Sequence, residues 1–294
     1  MSNPSNHVSR TPRIAVAGAT GRIGSMLIEL LLADGVETLA LTRDASSTRV
    51  PAGAIAAAID FKRPETLTEV LKGTDRLFIS HGTSPDQVAN EIALIDAAVA
   101  AGVRHIVKLS AMGPASRLVP FVWHMEIEAH LAQQPIASTV LRPSAFAYLL
   151  KRAGAQVAKG SWSGAAGDGR VNFIDIRDVA DAARVALREP IEPESQRAYH
   201  LTGPRTWTMN QVADELSRLL GRPVQYKNRS PSDQRAALLD AGMSPFVAEL
   251  LLGLDQGFRE SVLGETTSTV EELTGKAPRS LTQWLTENLN DFRA

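Results

Sequence analysis

Apolar positions in the first half of the chain follow two alternating patterns. A short run at residues 14–17 reads Ile-Ala-Val-Ala, and apolar residues then recur at 23, 26, 27, 30 and 31. The second set repeats every three or four residues, which predicts one apolar helix face. Similar short runs stand at 38–41, 54–59, 76–79, 105–109 and 138–141, with helix candidates at about 65–72, 86–101, 122–133 and 144–153. Strands that alternate with helices predict an α/β fold, a Rossmann-type doubly wound parallel sheet with right-handed crossovers.

The pattern changes after about residue 153. Residues 159–170 are rich in glycine and poor in large apolar side chains, which predicts a loop. A strand at 171–174 is followed by a helix to about Leu187, a strand at 198–201 and a helix over about 209–220 that Gly221 closes. From about residue 231 to 294 the pattern is mostly helical. We therefore predict a smaller, mostly helical C-terminal region.

A glycine-rich turn stands between the first strand and the first helix. Residues 18–24 read Gly-Ala-Thr-Gly-Arg-Ile-Gly, with glycine at every third position. Glycines in this context allow a sharp turn, let backbone N–H groups approach a pyrophosphate and place its charge at a helix N-terminus. A turn without a ligand is the alternative, which the strand–turn–helix context disfavours. We expect cofactor contacts from Gly18, Thr20, Gly21, Arg22, Ile23 and Gly24.

The end of the second strand indicates which dinucleotide is bound. An acidic residue there would bind a ribose 2′-hydroxyl, whereas an arginine accommodates a 2′-phosphate. The candidates are Arg43 and Asp44, and strand alternation makes Arg43 the first to face the cofactor. Arg22, in the glycine turn, is expected to reach the same phosphate from the other side. Two guanidinium groups favour NADP(H) over NAD(H), although Arg43 could also be an ordinary solvated arginine.

These observations predict the organisation of the chain. The polar residues 1–12 are expected to form a disordered tail. Residues 13–155 are the predicted dinucleotide-binding domain, to which segments at about 171–202 return. Residues 156–170 and 203–294 are expected to form a smaller substrate-binding region.

Composition narrows the range of partners. The chain has 31 Lys and Arg against 32 Asp and Glu, a net charge of −1, which disfavours nucleic acid and anionic membranes as partners. No apolar stretch is long enough for a membrane span. The chain has no cysteine, which suits a cytoplasmic location and excludes thiol chemistry. Its six histidines form no metal-binding pattern, so we expect no metal. A small-molecule substrate is the expected partner, and the sequence permits a homodimer.

Several motifs in the same order resemble the NmrA-like group of atypical short-chain dehydrogenases/reductases, which includes quinone and triphenylmethane-dye reductases and redox-sensing regulators. The resemblance covers about residues 13–290. It rests on residues 13–24 (RIAVAGATGRIG), 102–107 (GVRHIV) leading to Ser110, 141–143 (LRP) with Phe146, 173–180 (FIDIRDVA), 199–204 (YHLTGP) and 273–279 (LTGKAPR).

The resemblance implies further site residues after successive strands. Asp60 and Phe61 would lie along the adenine, and Ser80, His81 and Gly82 would approach the ribose. The turn that contains Pro143, Ser144 and Phe146 would border the nicotinamide. All of these positions follow strands of a parallel sheet, where open α/β sheets bind ligands. Asp175 or Asp178 is expected to cap a helix.

The chain departs from the wider superfamily at its catalytic residues. Typical members carry a serine and a Tyr-x-x-x-Lys pair, in which the tyrosine acts as general acid. If the helix near 122–133 is aligned by Glu128, Pro120 takes the tyrosine position and His124 the lysine position, with the serine near Ser110 or Ala111. Because proline cannot donate a proton, alcohol–ketone interconversion by that mechanism is disfavoured.

Hydride transfer to an acceptor that needs little proton assistance remains. We expect reduction of a quinone-like compound, conjugated carbonyl, imine or cationic acceptor. His124 either protonates the product or only hydrogen-bonds the ribose or a carbonyl. Met112, Trp123, Tyr148 and Phe246 either line an apolar substrate pocket or belong to the core. The alternative is a non-catalytic NADP(H)-binding redox sensor, and an apolar crevice opposite the nicotinamide is expected only for the enzyme.

Overall fold

The structure is a computed structural model, which describes residues 12–113 and 121–293. The predicted tail, except Pro12, and Pro120 lie outside the described residues. The strands are β1 Ile14–Ala17, β2 Thr38–Thr42, β3 Ile55–Ala58, β4 Arg76–Ile79, β5 His105–Leu109, β6 Ala137–Pro143, β7 Ala145–Phe146, β8 Ser161–Gly164, β9 Val171–Ile174, β10 Gln196–Leu201, β11 Thr206–Trp207 and β12 Gln225–Asn228.

The helices alternate with these strands. They are α1 Arg22–Ala33, α2 Pro64–Leu71, α3 Gln87–Ala100, α4 Phe121–Leu131, α5 Gly154–Val157, α6 Ile176–Ala186, α7 Met209–Leu220, α8 Pro231–Asp240, α9 Pro245–Arg259, α10 Thr269–Thr274 and α11 Leu281–Glu287, with 3-10 segments at Ala147–Ala153 and Leu289–Phe292. No helix in the described ranges is both long and apolar enough to cross a membrane.

Seven parallel strands form the central sheet, in the order β10-β6-β5-β4-β1-β2-β3. Ile14 pairs with Thr38 on one side and with Arg76 on the other, so the chain order reverses between β1 and β4. Open α/β sheets bind ligands at such a reversal, outside the carboxyl ends of the strands. The predicted doubly wound α/β fold is confirmed.

Burial on both faces explains the continuous apolar strands. Every residue of β1, β2 and β5 is buried, which is typical of a parallel sheet covered by helices. Leu27 and Leu31 of α1 pack with Ala183 of α6 on one face. Leu67 of α2 and Leu94 of α3 belong to the core on the other face. Helices therefore cover both faces of the sheet, and its carboxyl edge remains as the place for a ligand.

A separate hydrophobic core forms in the second half of the chain, where β8, β11, α7 and α11 pack together. Trp162 of β8, Trp207 of β11 and Trp284 of α11 are buried together with Leu216 of α7. α7 begins with a capping box at Thr208 and ends at Gly221, whose φ of +67° closes the helix as expected. The proposed domain boundaries remain a prediction.

Two predictions in this half are wrong. Residues 144–153 form β7 and a 3-10 segment rather than an α-helix, because Ala145 and Phe146 pair with β9 and hold the chain extended. Residues 159–170 contain β8, which pairs in parallel with β12. Both strands depend on partners distant in sequence, which local patterns do not report.

The expected helix cap at Asp175 is confirmed. Its Oδ1 accepts a hydrogen bond from the backbone N of Arg177 at 2.9 Å. Asp178 serves another contact, because its Oδ2 accepts from the backbone N of Arg279 at 2.9 Å. These carboxylates join α6 to the C-terminal region and leave the ligand edge to other residues.

Candidate active site

The glycine turn has a geometry that only glycine can adopt at its first position. Gly18 has a φ of +78°, and a Cβ there would stand 2.2 Å from the carbonyl oxygen of Ser80. The backbone N of Gly21 donates to the Gly18 oxygen at 2.9 Å. The turn is therefore pressed against the end of β4.

Helix α1 begins directly behind this turn. A Cβ on Gly24 would stand 2.2 Å from the Gly18 oxygen, so a side chain there would push the helix away from the turn. Gly21 is the N-cap, and within the described residues no side chain caps the helix and no acidic residue stands in its first turn. The first N–H groups and the positive end of the helix dipole are thus available to an anion.

A cavity of about 620 Å³ opens beside the turn, and we call it the glycine-turn cavity. It lies at the carboxyl ends of β1, β2 and β4 and reaches the start of α3. Its volume is within the range of small-molecule and cofactor sites. Eight residues singled out from the sequence line it: Gly18, Thr20, Gly21, Arg43, Phe61, Ser80, His81 and Gly82.

Three other expected cofactor residues have different surroundings. The Ile23 side chain is buried in the core, so only its backbone faces the turn. Gly24 supports the close packing of α1. Asp60 Oδ1 accepts from the backbone N of Lys62 at 2.9 Å, and Phe61 rather than Asp60 lines the cavity.

The arginines are not arranged as the sequence suggested. Arg43 lines the glycine-turn cavity, but the Arg22 guanidinium lies 5.0 Å from the ring centre of Tyr148, on the side of a second cavity. Arg49, which the sequence reasoning missed, lines the glycine-turn cavity together with Ser47. Arg49 lies in the loop between β2 and β3, and no periodic pattern in the sequence predicts its place at the cavity. Arg43 and Arg49 both line the glycine-turn cavity, whereas Arg22 is not among its lining residues.

His81 is held in one orientation at the cavity wall. Its Nδ1 donates to the oxygen of Gly82 at 2.6 Å, and its Nε2 accepts from Asn90 Nδ2 at 3.1 Å. The Phe61 ring meets the imidazole edge-on, with ring centres 5.8 Å apart. His81 therefore supports the wall of the cavity rather than offering a free acid or base.

A second cavity, of about 380 Å³, lies at the ends of β5 and β6, and we call it the apolar cavity. Eight residues predicted for the nicotinamide or the substrate line it: Ser110, Met112, His124, Pro143, Ser144, Phe146, Tyr148 and Phe246. The sequence reasoning missed one wall, made by Leu250, Leu251 and Leu254 of α9. Thr83 lines both this cavity and the glycine-turn cavity, so the two are neighbours along one edge of the sheet.

Aromatic contacts order one side of the apolar cavity. Phe146 and Tyr148 stack at a ring-centre distance of 5.4 Å. Trp123 lies behind the cavity wall, where it stacks on Phe246 at 6.1 Å. Burial raises the pKa of Tyr148, so its hydroxyl stays protonated at neutral pH.

Ser110 is engaged in a buried polar group rather than free to act on a substrate. Its hydroxyl donates to Glu128 of α4, whose Oε2 also accepts from Arg142 Nε at 3.1 Å. Ser144 is buried as well, with its Oγ 3.4 Å from Asn172 Oδ1. Neither hydroxyl has the free geometry of a general acid.

His124 has surroundings that change its expected chemistry. Its Nδ1 lies 3.3 Å from Nζ of Lys108, a completely buried lysine of β5. Burial, reinforced by the Lys108 charge, holds the pKa of His124 well below its ordinary value of 6.5. A lowered pKa favours a neutral imidazole at physiological pH, and so the hydrogen-bonding role of His124 over that of a proton donor.

The sequence reasoning did not predict Lys108 and Glu91, and it used Glu128 for alignment without giving it a role in the site. One signal was available, because a lysine interrupts the apolar run His-Ile-Val-Lys-Leu of β5. A buried charge inside a parallel strand requires a partner and often marks a functional site. Among the described residues, no group of histidine and acidic side chains could hold a metal ion.

A third cavity, of about 410 Å³, lies at the opposite edge of the sheet. Arg76, His105 and Ala137, which begin β4, β5 and β6, line it. The glycine turn and the N-terminus of α1 are at the other edge, where both site cavities lie.

Residues 10–271 match the NmrA-like family. The NAD(P)H azoreductase of Xenophilus azovorans is 33% identical over 286 residues, which cover 96% of this chain and 99% of the relative. Quinone oxidoreductase 2 of Escherichia coli is 31% identical over 288 residues, or 94% and 99% of the two chains.

Solved structures extend these similarities to the fold. The Escherichia coli NADPH-dependent quinone oxidoreductase in complex with NADPH superposes with a TM-score of 0.87 at 28% identity, over 94% of this chain and 100% of that chain. The Citrobacter triphenylmethane reductase in complex with NADP(H) superposes with a TM-score of 0.84 at 25% identity, over 93% and 99%.

Proposed function

The chain belongs to the NmrA-like family, and from this premise we propose that it is an NADPH-dependent reductase. Its acceptor is a small quinone-like compound, conjugated carbonyl, imine or cationic compound. The observation that carries the proposal is the pair of neighbouring cavities that share Thr83, one beside an uncapped helix N-terminus and one mostly apolar. The reductase names of the relatives support the same reaction class.

The glycine-turn cavity fits a dinucleotide. The uncapped first turn of α1 would hold the pyrophosphate, and the missing side chain of Gly18 keeps the approach open. Arg43 and Arg49 would bind a 2′-phosphate, since two guanidinium groups form charge-assisted hydrogen bonds to a dianion. Within the described residues neither guanidinium has an ion-pair partner, so both are free to bind one. NADPH is therefore favoured over NADH.

The apolar cavity suits an uncharged or delocalised acceptor. Leucines of α9 and the stacked Phe146 and Tyr148 give it apolar and aromatic walls, which exclude water and bind planar rings. Bound NADPH supplies a hydride, and the protein's main contribution is to hold the acceptor beside it.

His124 contributes a hydrogen bond rather than a full proton transfer. A neutral imidazole can donate one N–H to an acceptor oxygen or nitrogen that gains negative charge during reduction. With a lowered pKa it does not act as an imidazolium acid near neutral pH. Acceptors whose reduced anion is stable would gain most from this arrangement, and water then supplies the proton.

The apolar cavity also bears on the alternative of a redox sensor. A protein that only binds the dinucleotide and signals its redox state has no need for a second cavity with aromatic walls. That cavity was the feature expected for the enzyme alone, and its presence supports the reductase.

NADPH oxidation with a panel of quinones, imines, cationic dyes and simple ketones tests the proposal. We expect turnover with the first three classes and little with ketones. The variant Val247→Trp should fill the mouth of the apolar cavity, since Val247 lines it and is 36% exposed. It should lose turnover and keep its affinity for NADPH, whereas Ile55→Trp, on exposed β3, should keep both. Tight NADPH binding without turnover for every acceptor would contradict the reductase.

A further inference from the structure

Three polar side chains lie between the two cavities, two of them completely buried and the third, His124, half-buried at a cavity wall. Glu91 of α3 lines the glycine-turn cavity, and His124 of α4 lines the apolar cavity. Between them lies Lys108, whose side chain is completely buried, as is that of Glu91. A lysine and a glutamate are rarely buried to this extent, and the cost of removing them from water calls for a specific explanation.

Lys108 has three polar neighbours, one as an ion pair and two as hydrogen-bond partners. Its Nζ lies 2.6 Å from Glu91 Oε2, 2.7 Å from the oxygen of Leu109 and 3.3 Å from His124 Nδ1. An ammonium group has three N–H donors and no acceptor. It can therefore only donate to His124, and His124 Nδ1 must be the acceptor.

This arrangement determines where His124 carries its own proton. With a lone pair at Nδ1, the neutral ring is protonated at Nε2. Glu91 forms an ion pair with the lysine and fixes its position, and Gln87 Nε2 in turn donates to Glu91 Oε1 at 2.9 Å. The orientation of the imidazole is thus fixed from the protein interior.

We propose that Lys108, anchored by Glu91, is a positioning residue that holds His124 as the Nε2-protonated tautomer and so presents an N–H donor to the acceptor in the apolar cavity. This inference rests on the proposed function for its consequence, but the tautomer itself is a property of the protein alone. Lys108 does not touch the acceptor, and it acts only through His124.

The other charged groups near His124 do not provide the same control. Glu128 follows one turn later on α4, but Ser110 and Arg142 occupy it. Tyr148 and Arg152 line the apolar cavity on the facing 3-10 segment. Only Lys108, among the described residues, has a recorded contact with a ring nitrogen of His124.

Nitrogen-15 NMR of histidine-labelled protein without cofactor measures the tautomer directly, with His124→Gln to assign the signals. We expect His124 to show a protonated Nε2 and a bare Nδ1 from about pH 6 to about pH 8, with no titration near the ordinary value. A ring protonated at Nδ1, or one that titrates near about 6.5, would overturn the proposal. Because this measurement needs neither NADPH nor an acceptor, it remains decisive if no acceptor is turned over.

The variant Lys108→Met/Glu91→Gln removes both charges together, so neither is left unpaired in the interior. We expect its His124 to populate both tautomers and its kcat to fall by roughly 10-fold or more, because one preorganised donor is lost. Its KM for the acceptor should change little. An unchanged tautomer in the folded double variant would overturn the proposal.

Thr139→Val is the matched control. It removes the hydroxyl that lies 3.0 Å from His105 Nε2, a buried hydrogen bond between β5 and β6. Because side chains alternate along a strand, His105 and Lys108 lie on opposite faces of the sheet. A comparable loss of thermal stability is expected, without a change of tautomer or kcat. If the control shifted the tautomer as much as the double variant does, a specific role of Lys108 would be excluded.

Discussion

The glycine-turn cavity and the apolar cavity are neighbours on one sheet edge, but they are built in different ways. The first depends on backbone: a positive φ at Gly18, its close approach to Ser80 and the free N–H groups at the start of α1. The second depends on side chains that come from the segment after β5, the end of β6, the 3-10 segment, α4 and α9. The first centres on one short stretch of chain that packs against Ser80, whereas the second forms only when several distant stretches meet.

This difference separates what the site requires from what it can vary. A pyrophosphate is bound by N–H groups whose geometry leaves little choice of residue. An apolar wall can be built from many side chains of suitable size, and its composition selects the acceptor. Substitutions at the glycines of the first cavity should therefore weaken NADPH binding most, while moderate changes of the apolar walls of the second should alter which acceptors are reduced.

The largest effect is expected for Gly18→Ala. The added Cβ would collide with the Ser80 oxygen, and alanine disfavours a φ of +78°. Isothermal titration should show NADPH affinity lower by more than about 100-fold, about 2.8 kcal/mol. Gly35→Ala is the matched control, because Gly35 has a φ of +72° but no described atom stands within 4 Å of a Cβ there. Equal losses in both variants would mean that backbone strain, not the site, accounts for the effect.

The next effect concerns the choice of dinucleotide. Arg43→Ala and Arg49→Ala should each lower the ratio of NADPH to NADH affinity by about 10-fold or more, because each removes a charged hydrogen bond of about 1.5–3 kcal/mol. Arg22→Ala should leave the ratio nearly unchanged, since its guanidinium lies over Tyr148. Titration with both cofactors measures the ratio. A greater loss from Arg22→Ala than from Arg49→Ala would reverse our assignment.

A smaller effect is expected in the apolar cavity. Phe246→Ala removes a ring that stacks on Trp123, and such aromatic pairs contribute about 0.5–1.5 kcal/mol. We expect KM for an aromatic acceptor to rise by roughly 2- to 10-fold, with the NADPH dissociation constant unchanged. The control in steady-state kinetics is Ile55→Ala, which also removes an exposed apolar side chain but lies outside both cavities. A weaker affinity for NADPH in Phe246→Ala would show that the two cavities are not independent.

The smallest effect is the pH dependence of turnover. A histidine with its ordinary pKa would lose its acid form, and activity with it, as pH rises through about 6.5. Because burial and Lys108 lower the pKa of His124, we expect the His124 contribution to kcat to be constant from about pH 6 to about pH 8. The ratio of wild-type to His124→Ala kcat across this range isolates it. A ratio that falls as pH rises would show that His124 acts as a general acid with an ordinary pKa, which would contradict our account.

The sequence predicts the backbone-dependent part of the site well. Strand runs, the helix face of α1 and the glycine spacing are local signals, and they place Gly18, Thr20 and Gly21 at the carboxyl edge. It predicts long-range features poorly. Arg49 reaches the cavity through a loop bend, and the strand at Ser161–Gly164 depends on β12.

Buried electrostatics is the other limit. His124 is a candidate from the sequence alone. The position of its ring proton, however, depends on Lys108, which is 16 positions earlier in the chain. Likewise, Ser110 could be placed at a strand end, but not its hydrogen bond to Glu128. Such pairs become visible only when strand and helix positions are combined in three dimensions.

The central claim is that hydride passes from NADPH to an acceptor held in the apolar cavity. Stopped-flow mixing of the protein–NADPH complex with a quinone, with detection of nicotinamide absorbance, tests it most directly. The account predicts rapid loss of one bound NADPH per chain at a rate that saturates with quinone concentration, and loss of this fast phase in Val247→Trp. Bound NADPH that keeps its absorbance, or is oxidised no faster than NADPH free in solution, would contradict the account.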